Sequence, residues 1–310
     1  MTLRTNTGKH CFPMAVIPNI DYSPKRDPQR QFDFYSPPVP TRSIVVFVHG
    51  GAWRAYVPSD SSRCACAHCY AHYAHSEDKA DHAPLAQSLC KHTQLAVAVP
   101  NYRLTPSNPQ AGDDVFRHPG HAEDLLHFLE FLIQWPGPDG ITGVGGGIRR
   151  LYLIGHSCSA HMLASIFLDS SKVTPSLGPS ATLLEAVKAI VMSEGIYDIP
   201  LLLSSFPAYL GWFIANTFGQ HDSYDQFSTT RLPLRTSDIR WYIIHSKDDT
   251  LVDEIQSQTM YDRLHTLLGS KATEGVSKNM DQITGDHNAI FKGDAYVRTV
   301  GDYITRIDSN

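Results

Sequence analysis

The sequence predicts an α/β fold with a mostly parallel central sheet and helices on both faces. Two observations carry this. Short, apolar, β-branched runs alternate with segments of helical period, and one run, Leu151–Ile154, leads through Gly155-His156-Ser157 straight into a small-residue helical stretch. The runs are Ser43–Val48, Ala96–Val99, Leu151–Ile154, Ala189–Met192 and Trp241–Ile244. None alternates apolar with polar, so each belongs in a sheet covered on both sides, which favours parallel pairing. Helices are expected over Ala83–Lys91, His121–Gln134, Ser159–Asp169 and Val252–Leu268. In the second, Leu125, Phe128, Leu129 and Leu132 recur at helical spacing, and Pro136 ends it. A weaker strand around Gln31–Tyr35 is placed at an antiparallel edge. The stretch 198–233 breaks the alternation and carries Phe206, Tyr209, Trp212, Phe213, Phe218 and Tyr224, which is read as a cap segment over the sheet edge, the alternative being ordinary surface helices with their core contacts.

Composition narrows the function. The 310 residues are 42% hydrophobic and 18% charged, with a net charge of −5, the balance of a globular protein. A single domain over 1–310 is expected. Without a basic stripe, nucleic acid is not an expected partner, and no apolar run is long enough for a membrane span. Residues 1–10 are polar and lack the apolar core of a secretory leader, so a cytoplasmic location is expected. The 6 cysteines then argue against a disulfide framework.

Four segments carry chemistry. Gly155-His156-Ser157 between a strand and a helix is the setting that lifts a serine hydroxyl clear of the backbone, exposed to an acyl carbon. Val45–Val48 runs into His49-Gly50-Gly51-Ala52-Trp53, where paired glycines let amides turn inward and, with the amide of Cys158, form an oxyanion hole. Trp241–Ile244 leads to His245-Ser246-Lys247-Asp248-Asp249. Asp249, in an Asp-x-x-Val setting, is the expected partner of a catalytic imidazole, with Asp248 and then Asp253 in reserve. Gly285-Asp286-His287-Asn288 supplies that imidazole, His287, at the start of the last helical stretch. The order Ser157, Asp249, His287, each beyond a strand, is the one used by the α/β-hydrolase fold.

On these motifs the chain resembles the α/β-hydrolase superfamily from about residue 19 to residue 307. Within it the chain is similar to fungal-type kynurenine formamidases, which carry His-Gly-Gly-x-Trp (here His49–Trp53) and a Gly-His-Ser elbow (here Gly155–Ser157). Ser193-Glu194-Gly195-Ile196-Tyr197-Asp198 and His245–Asp249 extend the likeness. The resemblance implies a cofactor-independent serine hydrolase that cleaves N-formyl-L-kynurenine to L-kynurenine and formate, a step of tryptophan catabolism towards NAD. It implies oxyanion donors at Gly51, Ala52 and Cys158. Trp53 is read either as a wall of a tight acyl pocket or as packing under the loop, and Tyr197 and Asp198 as substrate-placing residues. The expected partner is a small aryl formamide or ester; oligomeric state is open, with a homodimer compatible. Two alternatives stand beside this reading: a broad carboxylesterase or lipase-like enzyme using the same triad, and a non-catalytic ligand-binding homologue.

The sequence departs from the pattern twice. Ser159 stands where the elbow usually has a second glycine, so a slightly shifted turn is expected and not its loss. Residues 63–82, with Cys64, Cys66, Cys69, His68, His72, His75 and His82, read as an insertion. Its Cys-x-Cys-x-His-Cys spacing is not that of a zinc ribbon or finger, so no metal is assigned. Its place beside the oxyanion loop makes it a candidate cover of the site.

Overall fold

The structure, a computed structural model, describes residues 14–39, 41–55, 77–107, 114–138 and 149–309. Eight strands form one sheet: β1 (Ala15–Asp21), β2 (Gln31–Ser36), β3 (Ser43–Val48), β4 (Ala96–Pro100), β5 (Arg150–His156), β6 (Val187–Ser193), β7 (Arg240–Ile244) and β8 (Val276–Asn279), in the order β1-β2-β4-β3-β5-β6-β7-β8. β1 and β2 pair antiparallel at one edge, and every pairing from β4 through β8 is parallel. All five apolar runs are strands, and the weak signal at Gln31 is the antiparallel one.

Burial explains why those runs were readable. Every residue of β3 is buried, with Ile44, Val46 and Val48 in one apolar layer and Val45 and Phe47 in the other. α1 (Ala83–Thr93) covers the second face together with the last helix, Asp294–Asp308, through Leu85, Leu89, Val297, Val300 and Ile304. α2 (Gly120–Gln134) and α3 (Cys158–Phe167) cover the first face. Each fully buried aliphatic side chain contributes about 1.5–3 kcal/mol, so both faces hold the sheet in place.

The stretch 198–233 is a series of short helices, including Ile199–Ser205, a π-helical turn at Leu210–Ile214 and Ala215–Phe218. Its aromatics pack inward. Phe213 and Phe218 lie 6.1 and 5.3 Å from the Trp53 ring, and Phe218 lies 5.6 Å from His161 on α3. This segment therefore seats on the loop after β3 and on the elbow helix. The Cys/His-rich stretch lies outside the described residues except at its end. There His82 packs against Phe47 and Phe291 and bonds Glu77.

Candidate active site

The loops beyond the carboxyl ends of β3, β5, β7 and β8 carry the candidate residues. Ser157 follows β5 with φ 56° and ψ −123°, a left-handed setting for a residue with a side chain. Such backbone costs of order 1–3 kcal/mol and persists only where its surroundings impose it. They do so here: Ser157 N–H donates to the Ser193 carbonyl at 2.9 Å, and its own carbonyl accepts from Ala160 and Ile196. Gly155 permits the close crossing of strand and helix, since a Cβ there would stand 2.8 Å from the Ser159 carbonyl oxygen and 2.9 Å from the Ala160 nitrogen. The turn survives the serine at 159. That side chain is wholly buried, and its hydroxyl donates to the His49 carbonyl. A position usually kept empty by glycine thus ties the elbow to the loop after β3.

Across the sheet edge, His287 Nδ1 lies 2.7 Å from Asp249 Oδ2. Asp249 Oδ1 accepts from the amides of Leu251 and Val252, at 2.8 and 3.0 Å. Burial alone would raise this carboxyl, but the hydrogen bond and charge of His287 outweigh it and hold Asp249 well below the usual carboxylate range. With Nδ1–H given to Asp249, neutral His287 carries its lone pair on Nε2, the tautomer of a general base. The other two acids are used elsewhere: Asp248 Oδ2 accepts from Gly285 N–H, and Asp253 accepts from the Ser205 hydroxyl at the head of the helix Glu254–Leu268.

The His287 ring stands 4.6 Å from that of His156, the residue before Ser157. His156 is buried, and desolvation holds its pKa down to about 3, so it is a neutral prop, bonded through Nε2 to Asn288 Oδ1 at 2.9 Å. No hydrogen bond joins the Ser157 hydroxyl to the His287 ring in this structure, as is common in free hydrolases, where that contact tightens with substrate. His287 sits in a loop, whereas the sequence placed it at the start of the last helix. That helix begins at Asp294, because Gly293 (φ 93°) interrupts the chain ahead of it.

The loop after β3, expected to supply oxyanion donors, takes a form the sequence did not specify. Gly51, Ala52 and Trp53 all have positive φ, at 101°, 52° and 58°. Gly50, expected among the site amides, is already engaged: its N–H donates to Glu77 Oε2 at 2.7 Å, and the same oxygen meets His82 Nε2 at 3.2 Å. The amides of Trp53 and Ala52 approach the Cys158 thiol, although burial dominates and pushes that thiol up to about 12. The loop thus meets the first residue of α3, where the third expected donor lies. Tyr102 closes the base, its hydroxyl 3.1 and 2.9 Å from the carbonyls of His49 and Gly50. Trp53 is fully buried, with its ring edge-on to His161 and Phe218, so the packing role is the one its contacts give it. Tyr197 is buried as well, and Asp198 caps the helix Ile199–Ser205, so both are spent within the fold.

Glu77, Tyr102 and Glu194, which the fold sets against the candidate residues, were not singled out from the sequence as site residues. Glu194 offered one cue: it is an acid directly after a buried strand, beside the strand that leads to Asp249.

Comparison with known proteins defines the class first. Esterase B from Lactobacillus rhamnosis superposes with a TM-score of 0.67 at 15% identity, covering 96% of this chain and 85% of that one. A truncated carbohydrate esterase from gut microbiota gives 0.64 at 16%, covering 98% and 99%. The chain has the α/β-hydrolase fold. Among curated proteins it resembles kynurenine formamidases. That of Meyerozyma guilliermondii is 24% identical over 225 residues, 71% of this chain and 70% of the relative. That of Eremothecium gossypii is 27% identical over 222 residues, 69% and 76%. No family profile matches the chain. Together these likenesses support a hydrolase of the α/β-hydrolase type. None of the described helices is long and apolar enough to cross a membrane.

Proposed function

We propose that the chain is a serine hydrolase that cleaves N-formyl-L-kynurenine to L-kynurenine and formate. The observation that carries this is the 2.7 Å pair of His287 and Asp249 at the sheet edge that also presents Ser157 on its strained turn. The substrate follows from the resemblance to kynurenine formamidases.

In this mechanism His287 Nε2 takes the Ser157 hydroxyl proton as Oγ attacks the formyl carbon. Amides of the oxyanion loop (Gly51, Ala52) and of Cys158 receive the oxyanion; each such donor is worth about 3 kcal/mol of barrier. The C–N bond then breaks, and protonated His287 gives its proton to the departing aryl amine. Water next loses a proton to His287 and attacks the formyl-serine. That adduct collapses with return of the proton to Ser157 and release of formate. Asp249 stays ionised throughout and stabilises the imidazolium. A formyl group is the smallest acyl group, which suits a loop closed beneath by a buried Trp53.

Kinetics test the substrate. Side by side, kcat/KM for N-formyl-L-kynurenine should clearly exceed that for short p-nitrophenyl esters. The opposite order would replace the formamidase reading with that of a broad carboxylesterase.

A further inference from the structure

Asp249 is not the only buried carboxyl at this edge. Glu194 follows β6 with φ 51°, its side chain has no exposure, and one of its carboxyl oxygens lies within 4.8 Å of one carboxyl oxygen of Asp249 and of a His245 ring nitrogen. Glu194 Oε1 accepts from Ser246 N–H at 2.9 Å. Oε2 is buried with no donor directed at it. His245 approaches at 3.5 Å, but its Nε2–H is 3.0 Å from the Val252 carbonyl, a group that only accepts. Its Nδ1 lies 2.9 Å from the Ser257 hydroxyl. Burial lowers the pKa of His245 and keeps it neutral, and with both ring nitrogens engaged it serves Glu194 neither as counter-ion nor as a co-ligand to a cation. Ion pairs of the described residues give Glu194 no lysine or arginine. The other ionisable groups facing it are Asp286 and the phenols of Tyr197 and Tyr296, and His287 stands beyond Asp249.

Two carboxylates this close in a dry site are not both ionised. Asp249, with two amides and His287 bonded to it, is the one that holds the charge. The proton then belongs on Glu194 Oε2, the one oxygen of that carboxyl lacking a donor. We propose that Glu194 is a positioning residue: its neutral carboxyl donates a hydrogen bond to Asp249 and holds that carboxylate rotated towards His287 Nδ1–H. Burial and the charge of Asp249 both push Glu194 up, to about 10, in keeping with this placement.

The proposal rests on Asp249 and His287 serving Ser157, and its test separates the two readings. Glu194→Ala should lower kcat on N-formyl-L-kynurenine by roughly ten- to a hundredfold, the scale of a small misplacement at the chemistry, with KM little changed. Glu194→Gln, whose carboxamide still donates, should recover most of that loss across the pH profile. Infrared difference spectra of the full chain at pH 8 should show a neutral carboxylic acid band that Glu194→Gln removes. A kcat unchanged in Glu194→Ala, a Glu194→Gln variant as impaired as Glu194→Ala, or the absence of that band would each overturn the proposal. Should the alanine variant not fold, the glutamine variant and the spectra decide. Retained turnover in Ser157→Ala would instead remove the nucleophile reading and leave the infrared result standing by itself.

Discussion

At the scale of single residues, Asp249 and Asp248 are adjacent in sequence yet differ in everything that matters to an imidazole. The Asp249 side chain is buried, bonded by two amides and 2.7 Å from His287; Asp248 turns to the Gly285 amide at the surface. Asp249→Asn should therefore cut kcat by about ten-thousandfold, the scale of losing the group that fixes the tautomer, while Asp248→Asn leaves it within a few-fold. Steady-state kinetics on purified variants check this, and the reverse pattern would exchange their roles. Ser157, Asp249 and His287 were legible as candidates because each sits in a short motif beyond an apolar run. Glu194 was not, because an acid in a loop reads as solvated until the fold shows it buried beside another carboxyl. Gly50 was placed among the free amides for a similar reason: nothing in His-Gly-Gly tells which N–H meets Glu77.

At the scale of elements, the elbow is a joint between β5 and α3 that only a small residue at 155 permits. Gly155→Ala would set a Cβ against backbone atoms of Ser159 and Ala160, which cannot retreat without moving the helix. Overpacking of this kind costs about 1–3 kcal/mol, so Tm should fall by several degrees and turnover with it. An unchanged Tm in calorimetry would mean that the joint is looser than its contacts imply. Strands buried on both faces were readable at nearly their full length. The two edge strands were not: β1 alternates half-exposed positions around a register shift, and β8 has four residues of mixed polarity, so neither carries an apolar run. The aromatics of 198–233 signalled a change of structure, but not that they would pack on Trp53 and His161.

For the molecule as a whole, the buried acids shape how stability follows pH. Glu194 has its folded-state value raised from 4.5 to about 10, so between those limits the folded chain binds a proton that the unfolded chain has lost. Stability from this group is then full below about pH 4.5 and falls as pH rises towards 10. Asp249 works in the opposite sense: its value is depressed, its contribution is present above the usual carboxylate range, and it is lost as pH falls through the lower folded value. Glu194→Gln should flatten the decline on the alkaline side; denaturant unfolding at a series of pH values measures it, and an unaltered slope would place the charge on Glu194 after all.

The nucleophile is the claim on which the functional account turns. Purified chain treated with a fluorophosphonate probe and mapped by peptide mass spectrometry should carry one adduct on Ser157, with loss of hydrolysis in step with labelling. A chain that turns over N-formyl-L-kynurenine undiminished while Ser157 is fully modified would contradict the account.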